Sequence, residues 1–400
     1  MTITINNKNK KPNVPNLRFK EFEGEWKEST IGEMFDLYSG NTPSRLNKEH
    51  FKGTVNWISS GELKEHYIYS SKEQISEEAA KSLKLLPVGT FVIAIYGLEA
   101  EGVRGTGSIT QEPSTISQAC MSFIPKGVIE NEFLYSWYKK HGNVIGIRYA
   151  QGTKQQNLSY DILEKFRIAY PNTKEQEKLN KFISLLDERI STQNKIIDKL
   201  QTLIRGISNK LLNTDYGKKT RLGDILNECS ERTKVNNQYE VLSSTVNGLF
   251  SQREYFTKDI ASENNIGYKI LRLHDVVLSP QNLWMGNINY NDKFEIGIVS
   301  PSYKIFSIVD GYDKKYVSAL LKTHRALYNY SLVSEQGASV VRRNLNSEAF
   351  EQLTFIIPPI ANQRAIGYTI SLLRYRLEIE NMLKVTYLSQ KQYLLRQMFI

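Results

Sequence analysis

The chain repeats itself at long range, and no other feature constrains its fold as strongly. Ile183-Ser184-Leu185-Leu186 returns as Ile370-Ser371-Leu372-Leu373, an offset of 370 − 183 = 187 residues. The same offset carries Asn157-Leu158 to Asn344-Leu345, Glu164 to Glu351, Pro171 to Pro358, Gln176 to Gln363, Arg189 to Arg376 and Asn194 to Asn381. One identity is noise, but a colinear set marks a duplicated architecture. Farther upstream the likeness is fainter: Ile31-Gly32-Glu33 matches Leu222-Gly223-Asp224, and residues 85–94 (LLPVGTFVIA) echo residues 270–279 (ILRLHDVVLS). Each half therefore reads as a variable block of roughly 150 residues followed by a better-matched block of roughly 45.

The matched blocks are helical. Apolar residues fall at Leu179, Ile183, Leu186, Ile190, Ile197, Leu200, Ile204, Ile207 and Leu211. Their spacing alternates four and three, interrupted only by Gln193, which is the seam of a coiled coil. No proline stands between Pro171 and Pro280. Asn172 and Thr173 supply an N-cap, with Glu175 and Glu177 in the first turn. From Leu179 to Leu211 such a helix spans roughly 48 Å at about 1.5 Å per residue. The second copy follows Pro358-Pro359 and carries Ile366, Ile370, Leu373, Leu377, Leu383, Tyr387, Leu394 and Met398. Two equivalent helices in one chain are expected to pair antiparallel about a pseudo-twofold axis. Gln193 and its repeat mate Glu380 then face each other near the middle and fix the register.

The variable blocks mix both structures. Residues 88–96 and 303–309 are β-branched and aromatic runs bounded by Gly, Pro or Asp, which predicts strands. Residues 77–86 and 316–330 read as helices. The expected fold is α+β: two pseudo-symmetric globules with mixed sheets, separated by a pair of long antiparallel coiled-coil helices. The expected boundaries are a flexible leader over 1–16, a first globule over 17–170, a helix over 171–214, a second globule over 215–357 and a C-terminal helix over 358–400.

Composition removes several function classes. With 40% hydrophobic and 24% charged residues the chain is that of a soluble globular protein. The longest apolar stretch, residues 91–96, falls far short of the about 20 residues that span a bilayer. Residues 1–11 lack the apolar block of a secretory signal, so a cytoplasmic location is expected. Cys120 and Cys229 are far apart without a CxxC, and His50, His66, His141, His274 and His324 are scattered, none beside a cysteine or a pair of acids in sequence. No metal site is expected. There is no GxxxxGK[ST] phosphate loop and no Asn/Asp-Pro-Pro-Tyr/Phe motif. No nucleophile triad or paired carboxylates declare themselves, and the glycine run Gly102-Val103-Arg104-Gly105-Thr106-Gly107 does not form GxGxxG.

The chain does carry groups suited to DNA. Lysine and arginine number 52 against 42 acids, a formal charge of +10 that favours phosphate contact. Before the first long helix stands Gln151-Gly152-Thr153-Lys154-Gln155-Gln156-Asn157, and at the matching place in the second half Gln336-Gly337-Ala338-Ser339-Val340-Val341-Arg342-Arg343-Asn344. Gln and Arg make bidentate contacts to base edges. The two turns match in place and differ in identity, as two readers of different sequences must. By the same reasoning the candidate contacts are Ser44, Arg45, Arg104, Lys154, Gln155, Gln156, Ser244, Gln252, Arg253, Gln281, Arg342 and Arg343, with Tyr96, Trp284 and Tyr290 as aromatics able to stack. The competing reading for any one of them is a solvated turn or a core residue.

In this arrangement the chain resembles the specificity subunits of type I restriction-modification systems. The resemblance rests on Gly24-Glu25-Trp26 with Ile31-Gly32-Glu33, on Thr115-Ile116-Ser117-Gln118-Ala119-Cys120 and Ile298-Val299-Ser300-Pro301-Ser302, on the Gly-x-x-x-x-Asn-Leu turn, and on the prolines followed by Glu175-Gln176 and Asn362-Gln363. One departure is visible: the second turn, Gly337 to Asn344, is two residues longer than Gly152 to Asn157. The resemblance implies two target recognition domains, each reading half of a bipartite asymmetric site on double-stranded DNA, with the helices as a ruler. A rod of roughly 48 Å exceeds the 34–36 Å of one DNA turn, so both domains can address one face of the duplex. It further implies a bacterial cytoplasmic complex with two modification subunits that methylate adenine and two ATP-dependent restriction subunits. No cofactor is expected on this chain; S-adenosylmethionine, ATP and Mg would sit on the partners. The alternatives are a self-contained DNA methyltransferase or nuclease, and a coiled-coil adaptor that binds only protein.

Overall fold

Runs rich in Phe, Val and Ile become the central strands of two sheets with the same strand order. The computed structural model describes residues 13–100, 102–152, 156–255, 264–336 and 342–400. These fold as two units, one extending to Asn194 and taking in Met382–Ile400, the other Lys195–Asn381. In the first, a five-stranded sheet runs Phe35–Ser39, Cys120–Pro125, Phe91–Ala94, Gly107–Thr110, Tyr67–Ile68. Neighbours are antiparallel except the last pair, which is parallel with Tyr67 opposite Ile109. Phe91–Ala94 lies inside the expected strand at 88–96 and is buried throughout, as a continuous apolar run requires. A three-stranded sheet of Glu73–Ile75, Val55–Ile58 and Ser114–Ile116 stands beside it.

The second unit has a four-stranded antiparallel sheet, Leu226–Cys229, Lys304–Ile308, Val276–Leu278, Ile288–Tyr290. Its order repeats the first four strands of the other sheet, so the faint upstream sequence likeness is a shared topology. Two strand pairs frame the match: Lys27–Thr30 with Arg167–Tyr170, and Lys218–Arg221 with Thr354–Ile357.

Two helical expectations change. Over 77–86 only Glu77–Lys81 is helical, because Pro87 disfavours helix at Leu86, which bridges Ser114 instead. Over 316–330 there are two helices, Lys314–Leu320 and His324–Leu332. The break is written by Thr323, which is 5% exposed and whose side chain accepts the Ala326 N–H, starting a new helix. Thr323→Ala is expected to cost roughly 1 kcal/mol in thermal unfolding and Thr323→Ser much less; equal losses would remove the capping role.

The long helices are Thr173–Leu212 and Ile360–Met398. In the first unit Asp187 pairs with Lys391, and the Arg189 guanidinium lies 4.5 Å from the Tyr387 ring. One number rises as the other falls, so the segments run antiparallel there. In the second unit Leu211 and Leu212 share a core with Ile366 and Ile370. Along the first helix Leu179, Ile183, Gln193 and Ile197 are buried, and Leu186, Ile190, Leu200 and Ile204 half-buried. On the second helix Ile370 and Glu380 are buried, Leu373 and Leu377 half-buried, and Glu380 pairs with Arg376.

Each helix is stapled to its globule by the repeated glutamine. Gln176 accepts the Glu130 N–H at 3.0 Å and donates to the Pro171 and Val128 carbonyls. Gln363 accepts the Asp313 N–H at 3.0 Å and donates to the Pro358 carbonyl. Both are buried, and their amides satisfy backbone groups that burial would otherwise orphan. Of the expected leader, residues 1–12 lie outside the described residues. Residues 13–16 are not free: Pro15 is buried and the Asn13 carbonyl accepts the Trp26 N–H at 2.7 Å.

Candidate nucleic-acid interface

In both units a pinched loop stands beside the segment that leaves the central strand. In the first, Gln151 and Asn157 exchange both backbone hydrogen bonds at 2.8 Å, and Asn157 also bridges Tyr96. The Leu98 N–H donates to the Gln156 carbonyl at 3.0 Å, and the Gln156 N–H donates to the Glu99 carboxylate at 2.9 Å. That last bond holds the Glu99 carboxyl below its ordinary range. Lys154 and Gln155 lie outside the described residues. In the second unit Ser334–Gln336 pairs with Arg343–Leu345, and the Arg343 N–H donates to the Gln281 carbonyl at 3.1 Å. Residues 337–341 are likewise outside the described residues. The innermost pairs, Gln151 with Asn157 and Gln336 with Arg343, enclose five and six residues.

Arg343 stands out in the second loop. Its guanidinium lies 4.3 Å from the centroid of the Trp284 ring, and its buried Nε has no hydrogen-bond partner among the described residues. Stacking on indole restrains the long side chain while leaving in-plane N–H groups to meet a base or phosphate. Arg342 and Gln281 are exposed beside it. The sequence offered Trp284 only as a stacking aromatic; the fold pairs it with an arginine 59 positions away, Arg343.

The other predicted contacts are placed differently. Ser244 is 3% exposed, donates to Asn287 Oδ1 at 2.7 Å and accepts from Asn289 Nδ2 at 2.7 Å. The expectation of DNA contact at Ser244 is therefore corrected: it belongs to an internal network that a strand, Leu242–Thr245, turns inward by alternation. Arg45 makes two bonds to Glu73 at 3.0 and 2.8 Å and lies 4.5 Å from the Phe51 ring centroid, so it is already engaged, beside an exposed Ser44. Arg104 is half-buried and donates to the Glu99 carbonyl at 3.2 Å. It also packs so closely on Gly146 that a Cβ there would stand 3.0 Å from Arg104 Cγ. Gln252 is half-buried and starts the short helix Gln252–Tyr255, on which Arg253 is exposed. Tyr290 bonds His274 Nδ1 at 2.6 Å. Among the described residues no cluster of His, Cys, Asp or Glu is arranged to hold a metal, and no helix is long and apolar enough to cross a membrane.

Comparison with known proteins bears on this arrangement. The family model described as the type I restriction modification DNA specificity domain matches residues 23–202. The chain is 29% identical over 185 residues to the type I restriction enzyme MjaIX specificity subunit of Methanocaldococcus jannaschii, covering 44% of this chain and 42% of that protein. It is 32% identical over 189 residues to the EcoR124I/EcoR124II specificity subunit of Escherichia coli, covering 46% and 45%. The chain thus spans about half the length of these relatives. Among solved structures, the S subunit of a type I restriction-modification system from M. genitalium superposes with a TM-score of 0.61 at 15% identity, over 97% of this chain and 99% of that one. A structure concerned with assembly and conformational transition of a type I system gives 0.54 at 12% identity, over 92% and 96%. At such identities the likeness is one of fold.

Proposed function

We propose that this chain, whose residues 23–202 match the family model of the type I restriction modification DNA specificity domain, is the DNA-reading subunit of a type I restriction-modification complex. Each half supplies a target recognition domain, over 17–170 and 215–357, that reads one half of a bipartite site. The long helices set the distance between the half-sites. The chain itself is non-catalytic: modification subunits bring S-adenosylmethionine and methylate adenine, and restriction subunits bring ATP and Mg for cleavage, two of each in the bacterial cytoplasm. The observation that carries this reading is the duplicated loop base, Gln151 with Asn157 and Ser334–Gln336 with Arg343–Leu345, standing in each unit beside the segment that leaves the central strand and furnished with different side chains. A single binding site would not need two versions of one loop.

The test is an exchange of residues 215–357 for the block of a relative, followed by sequencing of methylated adenines in cells that carry the partner subunits. One half-site is expected to change while the other half and the spacer stay the same. Changes in both halves would refute modular reading, and methylation or cleavage by the purified chain alone would replace this proposal with a self-contained enzyme.

A further inference from the structure

His66, one of five histidines scattered in sequence, meets two carboxylates in the fold. Its backbone belongs to the sheet of the first unit: its carbonyl accepts the Ile109 N–H at 2.8 Å, just before the strand Tyr67–Ile68. Its ring belongs to the helices. Nε2 is 2.9 Å from Glu132 Oε2, on the helix Asn131–Tyr149, and Nδ1 is 3.0 Å from Asp187 Oδ2, on the first long helix. The Glu132 contact is an aligned hydrogen bond, whereas the Asp187 contact is an ion contact off the N–H direction. Asp187 Oδ1 in turn pairs with Lys391 of the second long helix. Tyr67 and Tyr135 stack on the ring at 4.0 and 3.9 Å, within 10° and 3° of parallel. Two rings cannot share one face, so the imidazole is sandwiched.

We propose that His66 is a positioning residue: as an imidazolium bridging Glu132 and Asp187, it fixes the first recognition domain on the two long helices and so sets where the first half-site lies along the ruler. This rests on the DNA-reading function proposed above. A neutral ring that donates to Glu132 leaves an uncharged Nδ1 at 3.0 Å from the Asp187 carboxylate, whereas the imidazolium places positive charge between the two carboxylates. Burial works against the charge, but the contacts with Asp187 and Glu132 outweigh it and hold His66 above its ordinary value. Burial also opposes the Asp187 charge, and His66 and Lys391 nonetheless hold its carboxyl below the usual range. The repeat mate of Asp187 is Arg374, so the joint is particular to the first half.

The sign follows from linkage. A histidine with a raised folded pKa contributes its full stability below 6.5 and loses it as pH rises through the folded value. Other groups face the ring. Glu65 is close by, and Lys139, 5.1 Å from the Tyr135 ring centroid, is pushed down to about 8 by burial and by Lys391. Its release of a proton acts in the opposite sense, favouring the folded joint above that pH. Burial pushes Tyr67 up to about 12 and Tyr135 well above its ordinary value, so neither phenol titrates near neutrality.

Two measurements on the full-length chain test the joint. Histidine-labelled NMR from pH 5.5 to 9, with the resonance assigned by His66→Gln, is expected to show His66 titrating above 6.5; titration at or below it overturns the proposal, whether or not the chain reads DNA. The second uses the complex with modification subunits and duplexes whose spacer is native or one base pair longer or shorter. Wild-type preference for the native spacer is expected to fall measurably from pH 6.5 to 9, as the imidazolium loses its proton. His66→Gln and Asp187→Asn are expected to show the reduced preference at every pH with half-site sequence unchanged, and Lys139→Met to keep the fall and steepen it above about pH 8, where its opposing proton release is gone. Wild-type preference in both joint variants, or loss of the pH dependence in Lys139→Met, overturns it.

Discussion

Glu175→Ala is expected to destabilise the first unit by about 3–5 kcal/mol, the usual cost of removing one partner from a buried ion pair. Glu175 is 1% exposed and takes a two-pronged hydrogen bond from Arg18 at 2.8 and 2.7 Å, with the Trp26 indole N–H at 3.4 Å. Arg18 also donates to the Gly24 and Glu23 carbonyls, so one carboxylate in the first turn of the long helix gathers the segment that precedes the first strand. Its bond to Glu175 raises the guanidinium above its already high ordinary pKa, more than burial lowers it. Truncation leaves the Arg18 charge without its counterion in a site only 12% exposed. The repeat mate is a built-in control: Asn362 is exposed and donates to the Tyr216 hydroxyl at 2.7 Å, so Asn362→Ala is expected to cost within about 0.5 kcal/mol. Calorimetry with both variants measures the difference, and a Glu175→Ala loss under about 1 kcal/mol would place the pair among ordinary surface salt bridges.

On the DNA-reading function proposed above, Arg343→Ala is expected to weaken binding of the full complex to its cognate site by about 1–3 kcal/mol, roughly five- to 150-fold, and to relax specificity in one half-site. The Trp284 ring at 4.3 Å and the backbone bond to Gln281 position the side chain before DNA arrives, so little freedom is lost on binding. Arg343→Lys is expected not to rescue, because an ammonium lacks the planar fork that both stacks and pairs bidentately. A uniform loss across all sequences, with the salt slope smaller by about one, assigns Arg343 to a phosphate instead. Unchanged affinity and specificity remove it from the interface.

The long helices were legible because a heptad is a local pattern: the alternation of four and three predicts a buried seam whatever stands opposite, and Leu179, Ile183, Gln193 and Ile197 are buried. The repeated strand order was legible only in outline, from a colinear set of identities. The residues proposed to contact DNA were least legible. Ser244 and Arg343 both read as polar groups in loops, yet one is spent on Asn287 and Asn289 and the other lies over Trp284. Sequence distance explains the difference: these partners lie 40 or more positions away, and no periodicity carries information that far.

What the sequence determined by itself is therefore the duplicated plan, two variable blocks each closed by an amphipathic helix, because duplication and periodicity survive in the order of residues. What only the tertiary structure decided is which polar groups are committed inside. His66 is the sharpest case: along the chain it stands beside no pair of acids, and in the fold it bridges Glu132 and Asp187. A charge buried among distant elements is held by geometry, and that geometry exists only once sheet and helices have packed.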